Sequence, residues 1–459
     1  MLSDLVIVAI FLMLNIAIGF ISRKKNNTLE NFSVGDRNFN AWFIFATLSA
    51  TFIGGGFTIG NASKVYSSGI YYSLALMGFS LKEILVATFI APRMDAHRDC
   101  VSIGDLIYKT YGKWPKIITG FLSLFVCMGI LGAQVGAMGA ICQEFFSVSP
   151  IWGITIGFAV LIFYSSLGGM RAVVYTDVLQ FSILAIGIPA VFFIGLEHVG
   201  GWQQLAAKLP AHYLDILPMK KDRLFIASLF ITFILGETLV PPYVQRLLMS
   251  KHGQVTRRGT LASGLFSIPF FLIAGGIGLL AYALNPSIDP NLSLPYVVKV
   301  TAPLFVRGII VASLIAIIMS SASGFLNSAS IVFVNDILKP MRVSTKSINL
   351  LRCAQLTTIV VGIGAVMFAL LIHNVLDILL VSYNFWAPVM LVPLIAAIFQ
   401  CNVNAYDFIV GAVSGVIAMA LWAYLLNRPF GISPLVIGVM FNAAAFFMTG
   451  VLYKRSIKD

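Results

Sequence analysis

Two adjacent hydroxyls, Ser320 and Ser321, lie in the middle of an apolar stretch of membrane length, residues 304–333, where Ser323, Asn327, Ser328 and Ser330 continue a polar stripe. Hard cations choose oxygen ligands, and a hydroxyl pair with no carboxylate beside it suits a monovalent ion that must also leave. A second source of oxygen stands far away in the chain. Gly54, Gly55 and Gly56 interrupt the apolar run 41–60, and three consecutive glycines weaken a helix by about 1 kcal/mol each relative to alanine. In hydrocarbon the backbone groups so freed are tolerated only where protein or a hydrated cavity meets them, so a span broken at its centre marks a binding site near the bilayer midplane. Serines facing the carbonyls of that break would assemble a cation cage. Any single serine of the stripe also has a simpler reading as a close-packing surface between helices.

The elements that must position these groups follow from composition. The chain has 459 residues, of which 59% are hydrophobic and 10% charged, with mean hydropathy +0.94. Such a chain is an all-α polytopic membrane protein, not a soluble globular one. A helix needs about 20 apolar residues to cross about 30 Å of hydrocarbon. Thirteen stretches qualify, near 3–22, 41–66, 70–92, 117–144, 150–168, 174–196, 224–247, 259–284, 304–333, 350–373, 376–400, 406–426 and 433–453. The first is read as a retained helix, because its Lys and Arg follow it and no cleavage site is evident.

A second broken span echoes the first about 180 residues later: residues 224–247 contain Gly236, Glu237, Thr238, Pro241 and Pro242, and paired prolines remove backbone donors. Each break falls in the first helix of a five-span unit, 41–196 and 224–400. An odd number of spans inverts the second unit relative to the first, which predicts a 5+5 inverted-repeat core with broken first and sixth helices. Residues 1–40 then form an extra helix and loop before the core, and 401–459 two peripheral helices after it. Two unrelated kinks are the plainer alternative.

The net charge of +12 is mostly a topological signal. With the N-terminus outside and the C-terminus cytoplasmic, most of the Lys and Arg residues fall in inside segments, among them Arg23, Lys24, Lys25, Arg37, Lys116, Arg171, Arg246, Arg257 and Lys454. The expected location is the plasma (inner) membrane, with the lipid bilayer as a partner. No basic block stands apart from the spans, so nucleic acid is not an expected partner. The five cysteines lie within spans or on the predicted cytoplasmic side, and the five histidines are scattered. No zinc spacing, nucleophile cluster or cofactor motif is present, and an enzyme is not expected.

Longer motifs carry a family resemblance. Gly168-Gly-Met-Arg-Ala-Val-Val-Tyr-Thr-Asp-Val-Leu-Gln180 resembles the loop and helix start typical of the solute:sodium symporters, which carry proline, sugars, iodide, pantothenate or choline with Na⁺. Gly35-Asp-Arg37 precedes the broken helix as in that family. Ser49-Ala-Thr-Phe-Ile-Gly-Gly-Gly56, followed by Val65-Tyr66, is similar to its choline-type branch. Pro241-Pro-Tyr-Val-Gln-Arg246 and Met319-Ser-Ser-Ala-Ser-Gly-Phe-Leu-Asn-Ser328 complete the set, in order along nearly the whole chain. The resemblance implies a leucine-transporter-type core and sodium as the coupling ion, imported with a small organic solute. It places sodium-binding carbonyls at Ala50, Ile53 and Ile317 and hydroxyls at Ser320 and Ser321, with Asp177 near the cytoplasmic exit. Relatives often have alanine where Ile317 stands. Asp177 has a second reading as a helix N-cap. A proton-coupled or uncoupled carrier is the alternative, disfavoured by the lack of a carboxylate within Met319–Ser323, and a non-transporting sensor on the same fold is a further one.

Solute recognition falls to groups near the breaks: Phe52, Gly54, Gly55, Gly56, Lys82, Gln134, Glu237 and Asn384. Lys82 and Glu83 are ionisable residues inside a span, which costs roughly 2.5–3.5 kcal/mol or more unless they face a cavity or a partner. Adjacent positions on a helix point about 100° apart, so the two are expected not to pair with each other. Lys82 is a candidate to meet a solute carboxylate. Phe52, Phe57, Tyr243, Tyr383, Phe385 and Trp386 could form a cation–π box, although firm choline relatives tend to have tryptophan at the Phe52 position. A carboxylate-bearing zwitterion, an amino acid or betaine, is the favoured solute.

Overall fold

A computed structural model describes residues 2–22, 29–146, 149–217, 223–341, 350–371 and 375–456. In chain order its helices are α1 (Leu2–Ser22), α2 (Leu29–Val34), α3 (Ala41–Phe52), α4 (Gly55–Ser68), α5 (Tyr71–Leu85), α6 (Ile103–Tyr111), α7 (Lys113–Phe146), α8 (Pro150–Val199) and α9 (Trp202–Lys208). Then follow α10 (Arg223–Leu235), α11 (Pro241–Leu247), α12 (Gly253–Leu284), α13 (Ser293–Thr301), α14 (Val306–Val332), α15 (Leu350–Leu371), α16 (Val375–Ile398), α17 (Ala405–Ala420) and α18 (Pro434–Ser456). Among the described residues the sole β feature is an isolated bridge between Phe39 and Ser250.

Helices run through the predicted stretches where these fall among the described residues, without establishing thirteen membrane crossings. By length and composition eight of them among the described residues can cross a membrane, or nine when the bent pair α3–α4 is one span. α10 and the 434–449 part of α18 are shorter apolar helices. The separate stretches 150–168 and 174–196 are joined in α8, where Gly169 adopts φ 55° and ψ −163°. Only glycine takes that backbone readily, so the chain turns there without an intervening loop.

Both broken spans are present. α3 and α4 meet at 49° across Ile53–Gly54, and α10 and α11 are separated by residues 236–240. In the second break the paired prolines open α11 at its first positions. Those positions have no intrahelical use for an N–H, so the prolines start a helix there and do not breach one. Leu239 has φ 58°, unusual for a branched side chain, and marks a strained turn.

Packing follows an exchange between the two halves. α12 lies on α3 and α4, while α5 lies on α10; α14 lies on α8, while α7 lies on α15 and α16. Swapping the first five core helices for the second five converts each arrangement into the other. α14 is the hub, buried along almost its whole length between α7, α8, α3 and α11.

Candidate functional site

The three glycines of the first break are there for proximity, since none of them has a positive φ. A Cβ at Gly54 would run into the Ser321 hydroxyl, one at Gly56 into Leu379, and one at Gly55 would lie 2.6 Å from the Ala137 Cβ. Removing side chains lets α14, α7 and α16 close on the break. Gln134 serves this geometry: its Oε1 accepts the Gly55 amide at 2.9 Å, satisfying a donor at the N-terminus of α4. Phe57 and Thr58 donate their amides to the Gly54 carbonyl, and the Thr58 hydroxyl reaches the same oxygen at 3.0 Å.

Ser321 Oγ donates to the Thr51 carbonyl at 2.6 Å, so the serine doublet of α14 and the last turn of α3 are in contact. Ser320 points elsewhere, as adjacent helix positions must. Its hydroxyl donates to Asp177 Oδ1 at 2.6 Å. Ala50, Ile53 and Ile317 are buried.

Asp177 is no N-cap, because it lies eight residues past the Gly169 turn inside α8 and is fully buried. Its Oδ2 accepts the Thr47 hydroxyl at 2.5 Å, the Thr51 hydroxyl at 3.2 Å and the Arg246 guanidinium at 3.2 Å. Arg246 in turn donates to Thr47 Oγ1 at 3.0 Å, Thr51 Oγ1 at 2.5 Å and the Pro242 carbonyl at 3.1 Å. One ion pair thus ties both broken spans to α8 and α14. The sequence reading placed Arg246 among the cytoplasmic loop cations. In the fold it is wholly buried, and the carboxylate that offsets its charge, Asp177, lies on α8, more than sixty positions away in sequence. Thr47 and Thr51 were missed; both lie on α3 at a spacing of four, one helical face.

Lys82 and Glu83 do pair, contrary to the expectation from their helical positions: Lys82 Nζ lies 2.7 Å from Glu83 Oε1, and both side chains are buried. Four methylenes let the ammonium fold back across the angle between them, and in a buried setting the adjacent carboxylate is the nearest compensation. Glu83 Oε2 accepts the Tyr243 hydroxyl at 2.8 Å. The Lys82 ammonium stands 3.7 Å from the Phe79 ring centroid, 4.5 Å from Tyr243 and 5.6 Å from Phe52. Phe52 is flanked on another side by the Arg246 guanidinium at 5.9 Å. Glu237, buried in the second break, has no hydrogen-bond partner for Oε2 among the described residues. Of the other aromatics proposed for a cation box, Phe385 is exposed, and the Trp386 indole donates to the Thr238 carbonyl at 3.0 Å.

Asn384 lies apart from these groups, lining a cavity of about 410 Å³ with Lys64, Tyr72, Thr232, Asp377 and Arg428. Lys64 Nζ sits 2.8 Å from Asp377 Oδ1 across it. The cavity carries both signs of charge.

Two broken helices meeting a polar hub helix, with a central contact between helix-end carbonyls and hydroxyls, define a secondary transporter. The chain belongs to the sodium:solute symporter family, whose sequence model matches residues 32–418. The human high affinity choline transporter 1 is 26% identical, covering 90% of this chain and 75% of its own length. The sodium/glucose cotransporter of Vibrio parahaemolyticus is 23% identical over 78% of this chain and 74% of its own. In three dimensions the chain is similar to a Na⁺-coupled sialic acid symporter in its substrate-bound outward-open state, with TM-score 0.84, 21% identity and 98% coverage of both chains. Sodium is the coupling ion of this family, and its members are carriers, not enzymes.

Proposed function

We propose that this protein is a sodium-driven importer of a small organic solute, with an amino acid or betaine the favoured class, working by alternating access. The observation that carries the proposal is the contact between Ser321 and the Thr51 carbonyl at the break of the first span. A cation inserted there would meet oxygens of α3 at Ala50 and Ile53 and of α14 at Ile317 and Ser321, and would draw the Ser320 hydroxyl round from Asp177 to join them. The Asp177 carboxylate, one hydroxyl away, draws a departing cation inward. The packing exchange between halves supports repeats at 41–196 and 224–400, and the positive-inside bias supports an external N-terminus in the plasma (inner) membrane.

A ligand shifts an inward/outward equilibrium only through its different affinity for the two states. Sodium bound across α3 and α14 favours the arrangement that holds both together, and the membrane potential adds about 2.3 kcal/mol per charge per 100 mV. That is ample to concentrate a neutral or zwitterionic solute. The mixed-charge cavity, with Lys64 and Arg428 beside Asp377, suits a solute carrying a carboxylate and an ammonium group. Gln134 is occupied with the Gly55 amide and Lys82 with Glu83, which leaves Asn384 and Glu237 as the polar groups nearest to free use. The choline carried by some relatives is less well supported, because the aromatic box that would take it holds Lys82.

The test is a thermal-shift screen of purified protein against amino acids, betaines, choline, sugars and organic acids, each with and without Na⁺. Sodium-dependent stabilisation by a carboxylate zwitterion is expected. Stabilisation by a sugar or by choline alone would overturn the solute class, and stabilisation indifferent to Na⁺ would overturn the coupling.

A further inference from the structure

The centre of this protein contains a cation site that the chain fills with its own side chain. Around the Lys82 ammonium stand three ring faces, Phe79, Tyr243 and Phe52, all within the roughly 6 Å at which a ring quadrupole attracts a cation. The Glu83 carboxylate closes the site at 2.7 Å. Phe79 is one helical turn before Lys82 on α5, Tyr243 comes from α11 and Phe52 from the end of α3, so the walls are drawn from both broken spans and the helix between them. All four wall residues and the lysine are buried. Tyr243 holds Glu83 in place through its hydroxyl, and the Glu237 carboxyl lies close enough to interact with Lys82.

We infer that Lys82 is a tethered occupant of an organic-ammonium site and thereby a specificity determinant: it closes the aromatic and carboxylate cage to free organic cations. The structural elements that would bind an alkylammonium are assembled, and occupancy by a covalently attached ammonium at very high effective concentration leaves no room for a soluble one. Choline and simple alkylammonium ions should therefore neither bind the wild-type cage nor compete for uptake. The inference rests on the cage alone, and it stands or falls separately from the sodium site.

The experiment is a chemical rescue. Lys82→Ala removes three carbons and the ammonium, the outline of n-propylammonium, and leaves Glu83 buried beside three ring faces. Purified Lys82→Ala, wild type and a Lys82→Met/Glu83→Gln double variant are titrated with n-propylammonium chloride, with sodium chloride at matched ionic strength and with n-propanol, while thermal unfolding is followed. The expected result is a saturable upward shift of a few degrees for Lys82→Ala with n-propylammonium only, and none for wild type or the double variant. Should Lys82→Ala fail to survive extraction, recovery of monodisperse protein only when n-propylammonium is present during solubilisation is the same result in another form. No selective effect of the ammonium on Lys82→Ala, or no recovery under either condition while the double variant folds, would overturn the inference. So would a shift of the wild type by choline that disappears in Phe79→Leu.

Discussion

Replacing Arg246 with alanine should cost this protein more than any other single truncation near the first break. The guanidinium is wholly buried and makes four hydrogen bonds, to Thr47, Thr51, Asp177 and the Pro242 carbonyl. At 3.2 Å and an effective dielectric of about 20, its attraction to Asp177 is of order 5 kcal/mol. Much of that only offsets desolvation of the two ions. What the single substitution exposes is the stranded partner, which typically costs about 3–5 kcal/mol. Asp177→Asn should cost less than this, because the amide oxygen can take the Oδ2 place facing Thr47, Thr51 and Arg246 while the NH₂ donates to the Ser320 hydroxyl, which can accept as well as donate. The double variant Arg246→Ala/Asp177→Asn removes both charges and should recover part of the loss, giving a coupling energy of about 2 kcal/mol or more. The assay is equilibrium unfolding in detergent of wild type, both singles and the double. Additive losses across the cycle would refute the argument, since they would mean that the pair does not act as a unit and that each residue is held by unrelated contacts.

Further perturbations have equally definite outcomes. Ser321→Ala should raise the Na⁺ concentration for half-maximal uptake at least several-fold, and Ser320→Ala should do so as well; unchanged sodium dependence in both singles and the double would reject the proposed ion site. Gly55→Ala places a methyl 2.6 Å from the Ala137 Cβ, which should destabilise by about 1–3 kcal/mol through overpacking, read as a lowered melting temperature with no change of secondary structure. At the predicted cytoplasmic end, burial raises the Asp105 carboxyl, but the Lys116 ammonium at 2.6 Å and hydrogen bonds from the Val101 amide and Asn335 outweigh it, so its pKa lies below the ordinary 3.8. A depressed folded value contributes stability above the unfolded pKa and loses it as pH falls through the folded one. Asp105→Asn should therefore lower stability at neutral pH and flatten the acid limb of the stability profile, measured by unfolding from pH 7 downward.

Much of the site was legible because membrane chemistry restricts what residues can be where. Glycines and prolines inside apolar runs mark both breaks, since lipid forbids unpartnered backbone. Hydroxyls at mid-span mark the hub, since they need partners. Where the inference stopped, it stopped at distance. Arg246 looked like a loop cation because sequence offers no carboxylate near it, and only folding brings Asp177 alongside. Gln134 looked like a pocket polar, and its engagement with the Gly55 amide depends on how α7 crosses the break. Helix angles set the Lys82 and Glu83 stems apart, and the length of the lysine side chain brings their charges together.

The sequence by itself determined the class of molecule, the two interrupted helices and the family, because hydropathy, punctuation residues and ordered motifs are local properties. Tertiary structure alone decided which charges pair, which glycines serve close approach, and that the aromatic cage at the centre is already occupied. Those outcomes depend on side chains tens or hundreds of positions apart meeting in a medium with no water to compete, so each buried charge takes the partner that packing brings within reach.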